Sequence, residues 1–398
     1  MLCRQTNAIG KLRARVLHGA AMAVTAVVIV AAVTSKLQGD TFDERIQAAP
    51  KCHVARQELS AAGAAVLESV AQAYAKLGRM PSYPEYLELL VGAKQNLTAS
   101  DRLNLYWVFG SVQRPPISPI ELHDLFRAER AALTSFSTRY EVRYLVESRP
   151  QNAPEPPAGE YRKECRFSFD GQKLLLESSD YRGAALQRKQ VEAYDGQLLR
   201  GRDERPDGSI SATIAKLGSR KRFFAEGNPL LCAKLLEGTA DLQADEQGNW
   251  DDLGALAEHQ FVYETPVKVG GLNCAVVGNE NVQVFCAPKC GFAVVEQRMG
   301  EIQVDLKTGG YASSKSYIVL ANSDFMRINE KTWLPRRSEF RWTKQDEIVK
   351  HYVVTVDAIE ANPALPDVAF SGIIPDGAFV VDAVRNKTYR EGAGDGEK

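Results

Sequence analysis

A change of hydrophobic period after Ser135, from 3.6 residues to 2, constrains the fold more than any other feature of this sequence. The run Tyr140–Val146 alternates apolar and charged or polar residues, as a strand with one buried face does. Similar runs recur to about residue 359, and Asp-Gly dipeptides at 170–171 and 195–196 are strong hairpin signals. Helices do not alternate with these runs. The pattern predicts one large antiparallel sheet that must curve or close partly to manage its edges.

Residues 52–112 show a helical pattern instead. Apolar residues recur at spacings of three and four from Val54 to Leu77, and Gly78 is a plausible helix stop. The sequence SYPE at 82–85 has the form of a capping box that opens a second helix, and a third is expected at 100–109. We expect a small α-helical section that packs on itself; the alternatives are packing on the next domain or receiving a protein partner.

A proline-rich break at 112–119 separates this section from the sheet. Ser118 and Glu121 then form a second capping box, with Pro119 at the first helical position. The predicted organisation has five parts, which are a signal anchor or signal peptide (1–35), a polar linker (36–51), the helical section (52–112), a β-rich domain (117–390) and a disordered tail (391–398).

The segment Val16–Ser35 contains 20 residues and no Asp, Glu, Lys or Arg. At about 1.5 Å per residue it is long enough to span a hydrocarbon core of about 30 Å. Basic residues precede it and acidic residues follow it, which places the N-terminus inside by the positive-inside rule. We expect an uncleaved signal anchor with the rest of the chain exported. A signal peptide cleaved near Ser35 is the alternative, and it would leave a soluble exported protein.

Composition and motifs argue against several function classes. The net charge of −1 offers no basic field for a nucleic-acid partner. Motifs of serine hydrolases, P-loop enzymes, zincins and dinucleotide-binding proteins are absent, and the five histidines are scattered. We therefore expect no enzymatic activity, no catalytic residues, no metal and no cofactor.

Three of the seven cysteines lie between Leu272 and Cys290. A hairpin centred on Glu280 would place Cys274 directly opposite Cys286, within disulfide range. An oxidising compartment permits that bond, so we predict a Cys274–Cys286 disulfide. A Cys286–Cys290 bridge, unpaired buried thiols, and a zinc site with a fourth ligand elsewhere are the alternatives.

Several motifs of the β-rich part resemble the LolA/LolB/RseB-like superfamily of bacterial envelope proteins, in its outer-membrane lipoprotein-sorting-like branch. The resemblance covers about residues 117–385 and rests on the order and spacing of the following pieces: IELHDLFRAERAALTSFSTRYEVRY, VGGLNCAVV, VQVFCAPKCGFAVVEQR, NEKTWLPRRSEF and NPALPDVAFSGIIPDGAFVVD. It implies an α+β fold in which a large curved antiparallel sheet, an incomplete β-barrel, wraps over helices. It also implies a concave apolar cavity for acyl chains, and a location in the bacterial envelope with this domain in the periplasm.

The residue pattern gives candidates for the lining of that cavity. They are large apolar or aromatic residues of the β-rich domain and of the helix that opens it at Ser118. Ordinary core packing is the alternative for each. The predicted lipid-binding residues are Phe126, Tyr140, Val142, Tyr144, Phe167, Phe169, Trp333, Phe340, Trp342 and Phe370.

The sequence therefore predicts a membrane-tethered exported domain that binds lipid or the acyl chains of lipoproteins. The membrane is contacted through residues 16–35, and residues 52–112 are a candidate surface for an envelope protein partner. The alternative function is an envelope-stress sensing or regulatory interaction module without transport activity.

Overall fold

The structure is a computed structural model of the chain. It describes residues 41–93, 96–146, 160–216, 227–233, 261–278, 282–300, 303–305, 310–312, 316–345 and 347–392. The described residues form two compact units. The first comprises the described residues up to Pro81 together with Thr98–Val112, and the second comprises Ser82–Leu97 and the described residues from Gln113 onward.

The first unit is built from helices. They are α1 (Phe42–Gln47), α2 (Pro50–Gln57), α3 (Ala61–Leu77) and α5 (Ala99–Val112). The apolar stripe predicted from Val54 to Leu77 is divided between two helices, because Ser60 has extended backbone and its hydroxyl accepts a hydrogen bond from the Gly63 amide, which starts α3. Gly78 ends α3 in the left-handed conformation, as predicted.

Asp101 joins the start of α5 to the start of α3. Its buried carboxylate accepts hydrogen bonds from the amide and hydroxyl of Ser60 and from the amide and hydroxyl of Thr98, at 2.8–3.0 Å. Burial acts to raise the pKa of Asp101, but these four hydrogen bonds outweigh it and lower the pKa to about 2. A Cβ on Gly63 would lie 2.7 Å from an Asp101 oxygen, so the close approach of the two helices requires glycine there.

Part of the segment expected to be a polar linker (36–51) is folded. Thr41 and Glu44 form a capping box that starts α1, and Phe42 and Ile46 are buried. The described helices include none that is long and apolar enough to cross a membrane. The predicted membrane segment, 16–35, lies outside the described residues, as do most residues of the predicted tail at 391–398.

The second unit contains the described strands. Its helices are α4 (Tyr83–Ala93), α6 (Pro119–Ala131), α7 (Pro229–Cys232) and α8 (Val368–Ser371), with a 3₁₀ turn at Pro288–Cys290. Its strands are β1 (Ser135–Val146), β2 (Tyr161–Asp170), β3 (Lys173–Arg182), β4 (Ala185–Tyr194), β5 (Leu199–Glu204), β6 (Ile210–Ala215), β7 (Phe261–Val262), β8 (Val267–Val269), β9 (Leu272–Gly278), β10 (Val282–Ala287), β11 (Ala293–Gly300), β12 (Gln303–Asp305), β13 (Gly310–Ala312), β14 (Ser316–Arg327), β15 (Trp333–Lys344), β16 (Glu347–Ala361), β17 (Phe379–Asp382) and β18 (Lys387–Arg390).

Sixteen of the described strands form one sheet that is not closed into a barrel. The order is β18-β17-β6-β5-β4-β3-β2-β1-β16-β15-β14-β11-β10-β9-β7, with β8 also paired to β9. The expectation of an all-antiparallel sheet is wrong for one pair, because β17 runs parallel to β6. The connection from β16 to β17 carries α8 over β3 and β4, and such a long crossover permits parallel pairing.

Local sequence signals explain how these elements begin and turn. Ser118 and Glu121 make both hydrogen bonds of the predicted capping box at the start of α6. The Asp-Gly pairs turn β2 into β3 and β4 into β5, with Gly171 and Gly196 at positive φ as predicted. Near the middle of the sheet, β1 pairs with β2 and with β16.

The two faces of the sheet pack against different elements. We call the face that carries Tyr140 and Phe167 the inner face, and α6 packs there through Leu122 and Phe126. We call the opposite face the outer face, and α8 packs there through Phe370.

Candidate functional site

The inner face changes from apolar to charged along strands β1–β5. A row of cross-strand neighbours nearest α6 is apolar, and its members are Phe136, Phe169, Leu174, Tyr194 and Leu199. The row that begins at Val142 lies three rows farther along the strands, and it continues across β2, β3 and β4 with Lys163, Asp180 and Arg188. The same face is therefore apolar at one end of these strands and charged at the other.

Six of the ten predicted ligand-facing residues lie together in the buried cluster of the inner face. They are Phe126, Tyr140, Val142, Tyr144, Phe167 and Phe169. Burial raises the pKa of Tyr140 well above its ordinary value, so the phenol stays neutral. These six side chains pack against other protein side chains as part of the buried inner cluster.

The other four predicted residues lie elsewhere. Phe340 is half-buried at the border of the inner cluster, and Trp342 follows it on the same face, where its indole N–H donates to the Ser316 hydroxyl. Trp333 is half-buried close to Gly291. Phe370 was placed on the wrong face: it is buried on the outer face against Leu175, Val191 and Ala193, because the C-terminal crossover carries it there.

Four aromatic side chains on neighbouring strands form what we call the aromatic row: Tyr161, Tyr144, Tyr352 and Phe340. The ring centroids of Tyr161 and Tyr144 are 4.7 Å apart, those of Tyr144 and Tyr352 are 5.6 Å apart, and those of Tyr352 and Phe340 are 4.8 Å apart. Tyr161 and Phe340, at the two ends of the row, are only half-buried. The row thus brings part of the inner apolar cluster to the surface.

A cation lies beside each tyrosine pair of the aromatic row. The Arg182 guanidinium carbon is 4.2 Å from the Tyr161 ring centroid, and the Lys350 ammonium nitrogen is 5.5 Å from the Tyr352 ring centroid. The end of the inner face that presents the aromatic row therefore combines apolar surface with positive charge.

Sequence reasoning missed half of the aromatic row. Tyr161 continues the alternation of Cys165, Phe167 and Phe169, but the proline-rich run before it concealed the start of β2. Tyr352, Val354 and Val356 are spaced two residues apart in β16, so the sequence pattern could have placed Tyr352 on the inner face. What no local pattern indicated is that Tyr144 pairs with both tyrosines.

Residues 227–233, which we call the plug segment, cover part of the inner face. The segment contains the four-residue helix α7, which Asn228 caps, and buries Leu230 in the inner cluster. A Cβ on Gly227 would lie 2.7 Å from a Val142 methyl group, so the backbone of the segment lies directly on β1. The side-chain amide of Asn322 donates to the Cys232 carbonyl at 2.8 Å and holds the end of the segment to β14.

Charged side chains pair across the far end of the inner face. Lys163 and Asp180 approach to 3.7 Å, and the Arg188 guanidinium donates to the Asp203 carboxylate at 2.7 Å. Glu192, nearer the apolar end, accepts a hydrogen bond from Gln190 at 3.0 Å. Pairing across strands allows these charges to share a face with an apolar cluster.

The carboxyl group of Glu129 is buried without a partner among the described residues. The residue lies on α6 and is 3% exposed, and its carboxyl group makes no hydrogen bond or ion pair with any of them. Burial raises its pKa to about 8. One of its oxygens is 3.6 Å from the position that a Cβ on Gly291 would occupy.

The predicted Cys274–Cys286 disulfide is not present. The observed hairpin pairs Cys286 with Ala275, one residue away from the predicted register, and Cys274 pairs with Val267 of β8. A one-residue shift turns a side chain to the opposite face of the sheet. Cys286 therefore lies in the inner cluster, and Cys274 lies on the other face. Both thiols are free and buried, and burial raises the pKa of Cys274 to about 11, which keeps it protonated and unreactive.

Within the described ranges there is no group of three or more His, Cys, Asp or Glu side chains placed to hold a metal ion. The cysteines at 274, 286 and 290 therefore do not form the zinc site that was one alternative.

The fold and the inner face define a class of protein: an open mixed sheet whose apolar face is packed by short helices. The chain also shows distant similarity to several solved structures. A domain from Vibrio parahaemolyticus, described as an outer membrane lipoprotein-sorting protein, is 11% identical over 64% of this chain and 96% of its own, with a TM-score of 0.34. A LolA superfamily protein from Nitrosomonas europaea is 12% identical over 64% of this chain and 98% of its own, with a TM-score of 0.33.

A third solved structure, MucB in complex with MucA(peri), is 10% identical over 62% of this chain and 100% of its own, with a TM-score of 0.18. No family model and no curated protein sequence matches the chain. One of these solved structures carries the LolA superfamily name, and the likeness of this chain to the LolA/LolB/RseB-like superfamily remains a resemblance. Identities and TM-scores this low establish no activity, so the function rests on the residues of the site.

Proposed function

We propose that the second unit binds a lipid or the acyl chain of a lipoprotein at the aromatic row, as a binding protein rather than an enzyme. One observation carries the proposal: a line of four aromatic rings crosses β2, β1, β16 and β15, half-exposed at both ends and continuous with the buried apolar cluster. Apolar surface that is partly open and leads into a core is suited to a long apolar ligand.

The dimensions and charges of the row fit a lipid. Tyr161 and Phe340 lie on the outer two of four neighbouring strands, so three spacings of about 4.8 Å place them about 14 Å apart. Each methylene group that moves from water onto such a surface contributes about 0.8 kcal/mol. Arg182 and Lys350 beside the tyrosines would attract an anionic head group at the surface.

The buried inner cluster limits how far a chain could enter without a rearrangement. Phe126, Tyr140, Phe167 and Leu230 are each at most 2% exposed there. The plug segment is a suitable element to move, because its helix is a single turn that covers part of the inner face. We therefore propose that an acyl chain binds first along the aromatic row and displaces the plug segment as it goes deeper.

The same proposal includes the location. Residues 16–35 would anchor the chain in the bacterial cytoplasmic membrane with the N-terminus inside, and the second unit would lie in the periplasm. The support is the sequence pattern of that segment, and cleavage near Ser35 is the alternative.

The test replaces one ring of the row. Phe340→Asp puts a carboxylate between the ring of Tyr352 and the surface, and we expect it to abolish retention of co-purified lipid and to weaken binding of a fluorescent fatty acid at least tenfold. Native mass spectrometry after gentle detergent removal measures the first, and a fluorescence titration measures the second.

The matched control is Phe379→Asp. Phe379 is 46% exposed on β17, next to the edge strand β18 and outside the aromatic row, and its replacement should leave lipid binding unchanged. Lipid retention by a folded Phe340→Asp protein equal to that of the unsubstituted protein would show that the row is not the site.

A further inference from the structure

A groove on the outer face of the second unit lies outside the proposed lipid site. One cavity of about 590 Å³ lies over β1–β5, and a second of about 370 Å³ adjoins it at α8. The two share Arg166, Glu177, Val191 and Arg202 in their linings, so they form one continuous groove.

The floor of the groove is a row of cross-strand neighbours: Arg139, Arg166, Glu177, Val191 and Arg202. Arg166 and Glu177 approach to 3.7 Å. Neither Arg139 nor Arg202 forms an ion pair with a described residue, although Arg202 donates one hydrogen bond to the Ile373 carbonyl. The floor therefore presents two guanidinium groups without an acidic partner.

Acidic residues of the opposite wall are largely neutralised already. Glu141 lies 3.3 Å from Arg143 and 3.5 Å from Arg162, and Glu164 also pairs with Arg162. Asp357 is exposed at the β16 end and has no ion pair among the described residues. The unpaired charges that face a ligand are therefore the two arginines of the floor, which are positive, and Asp357 at the β16 end, which is negative.

The remaining wall is an apolar ledge formed by the C-terminal crossover. Phe370 is buried beneath it and fixes it to β3 and β4, while Val368 is 67% exposed at its lip. Leu365 and Pro366 also line the groove there. A ligand lying along the arginine row would meet apolar side chains on one side.

We propose that this groove binds an extended acidic peptide segment of a partner protein. The two arginines without an acidic partner, Arg139 on β1 and Arg202 on β5, are four strands apart, about 19 Å at about 4.8 Å per strand. An extended peptide rises about 3.3 Å per residue, so it would place one acidic residue at Arg139 and another about six residues farther on at Arg202. Its apolar residues would contact the ledge.

The charge pattern favours a peptide over an anionic membrane surface. A uniformly negative surface would meet Glu141, Glu164 and Asp357 along with the arginines, whereas a peptide can place a basic residue opposite Asp357.

The experiment selects from a library of seven-residue peptides randomised over Glu, Lys, Leu and Ser, displayed to the full-length protein. We expect enrichment of peptides with glutamate at one end and again about six residues farther on. By fluorescence anisotropy, the enriched peptide should bind at least tenfold more tightly than its Glu→Gln counterpart, and Arg139→Gln with Arg202→Gln should remove that preference. Arg337→Gln, on an exposed outer-face arginine outside the groove, should retain it.

Three results would overturn the proposal. They are a library without acidic enrichment, an enrichment that the double substitution leaves intact, and binding to vesicles of 30% phosphatidylglycerol that requires the same two arginines. The third would indicate a membrane contact instead. Because the groove and the aromatic row lie on opposite faces, none of these results bears on the lipid proposal.

Discussion

Glu129 shows how a single residue can tie the stability of the sheet domain to pH. It is almost fully buried on α6, without a hydrogen bond or ion pair to a described residue, and burial raises its pKa from 4.5 to about 8. In the folded protein it is therefore neutral at pH 7, while in the unfolded chain it is ionised above about pH 4.3. Its contribution to stability is fully present below its unfolded pKa and is lost as the pH rises through about 8.

We predict that Glu129→Gln removes this dependence. The amide mimics the neutral acid, so the free energy of unfolding should be nearly unchanged at pH 5 and higher than that of the unsubstituted protein by about 2–4 kcal/mol at pH 8.5. Urea unfolding at the two pH values measures the difference. Glu360→Gln, which alters an exposed carboxylate, is the control, and a Glu129→Gln protein whose stability follows the same pH curve as the unsubstituted protein would contradict the explanation.

Asp101 illustrates the opposite arrangement at the same scale. Four hydrogen bonds hold its carboxylate in the ionised form and lower its pKa to about 2. Both acids are buried, and the hydrogen bonds they receive decide which form is stable. The sequence does not show this difference, because Glu129 and Asp101 are both single carboxylates in helical segments.

Among the elements, the plug segment is a single helical turn that depends on its neighbours. Leu230 and Ala233 are buried in the inner cluster, and the Asn322 side-chain amide donates to the Cys232 carbonyl of that turn and to the Val294 carbonyl of β11, each at 2.8 Å. A helix of four residues has no stability of its own and depends on such contacts.

We predict that Asn322→Ala frees the plug segment. Amide hydrogen exchange of residues 229–233 should become at least tenfold faster, and binding of a fluorescent fatty acid should become tighter if the segment obstructs the inner face. Asn362→Ala is the matched control, because the side-chain oxygen Oδ1 of Asn362 accepts hydrogen bonds from the amides of Thr134 and Ser135 at the start of β1, at the opposite end of the strand from Val142 and the plug segment. Equal exchange in residues 229–233 of the Asn322→Ala and unsubstituted proteins would mean that other contacts hold the segment.

The β9–β10 hairpin shows the limit of prediction for an element. The predicted hairpin is present, with strands at Leu272–Gly278 and Val282–Ala287. Their register was wrong by one residue, because Gly278 pairs with Gln283 and not with Val282. That single step separates Cys274 from Cys286 by placing them on opposite faces.

For the whole molecule, the question that most affects function is on which side of a membrane it lies. We predict that residues 16–35 remain attached and anchor the chain. Alkaline carbonate should then fail to extract the full-length protein from bacterial membranes, and protease added to spheroplasts should degrade the second unit. A mature N-terminus near residue 36, found by protein sequencing together with full extraction, would show that the segment is a cleaved signal peptide.

The two-unit organisation also belongs to this scale. The sequence indicated a helical section followed by a β-rich domain, but it grouped α4 with the helices around it. The structure places α4 in the second unit, where Tyr83 contacts Tyr263 with ring centroids 4.7 Å apart. Contacts between residues 180 positions apart leave no local pattern.

The sequence alone determined most of the strands, the Asp-Gly turns and the helix starts at Tyr83 and Pro119, since alternation, Asp-Gly pairs and Ser-x-x-Glu boxes act over a few residues. It also indicated the apolar character of Tyr140, Phe167 and Phe169. Only the tertiary structure decided which strands are neighbours, which face each side chain occupies and where charges remain unpaired. The aromatic row, the arginine row and the position of Phe370 all depend on pairing between distant segments. Pairing is set by how the whole sheet buries its apolar area and satisfies its backbone hydrogen bonds, and no short stretch of sequence contains that information.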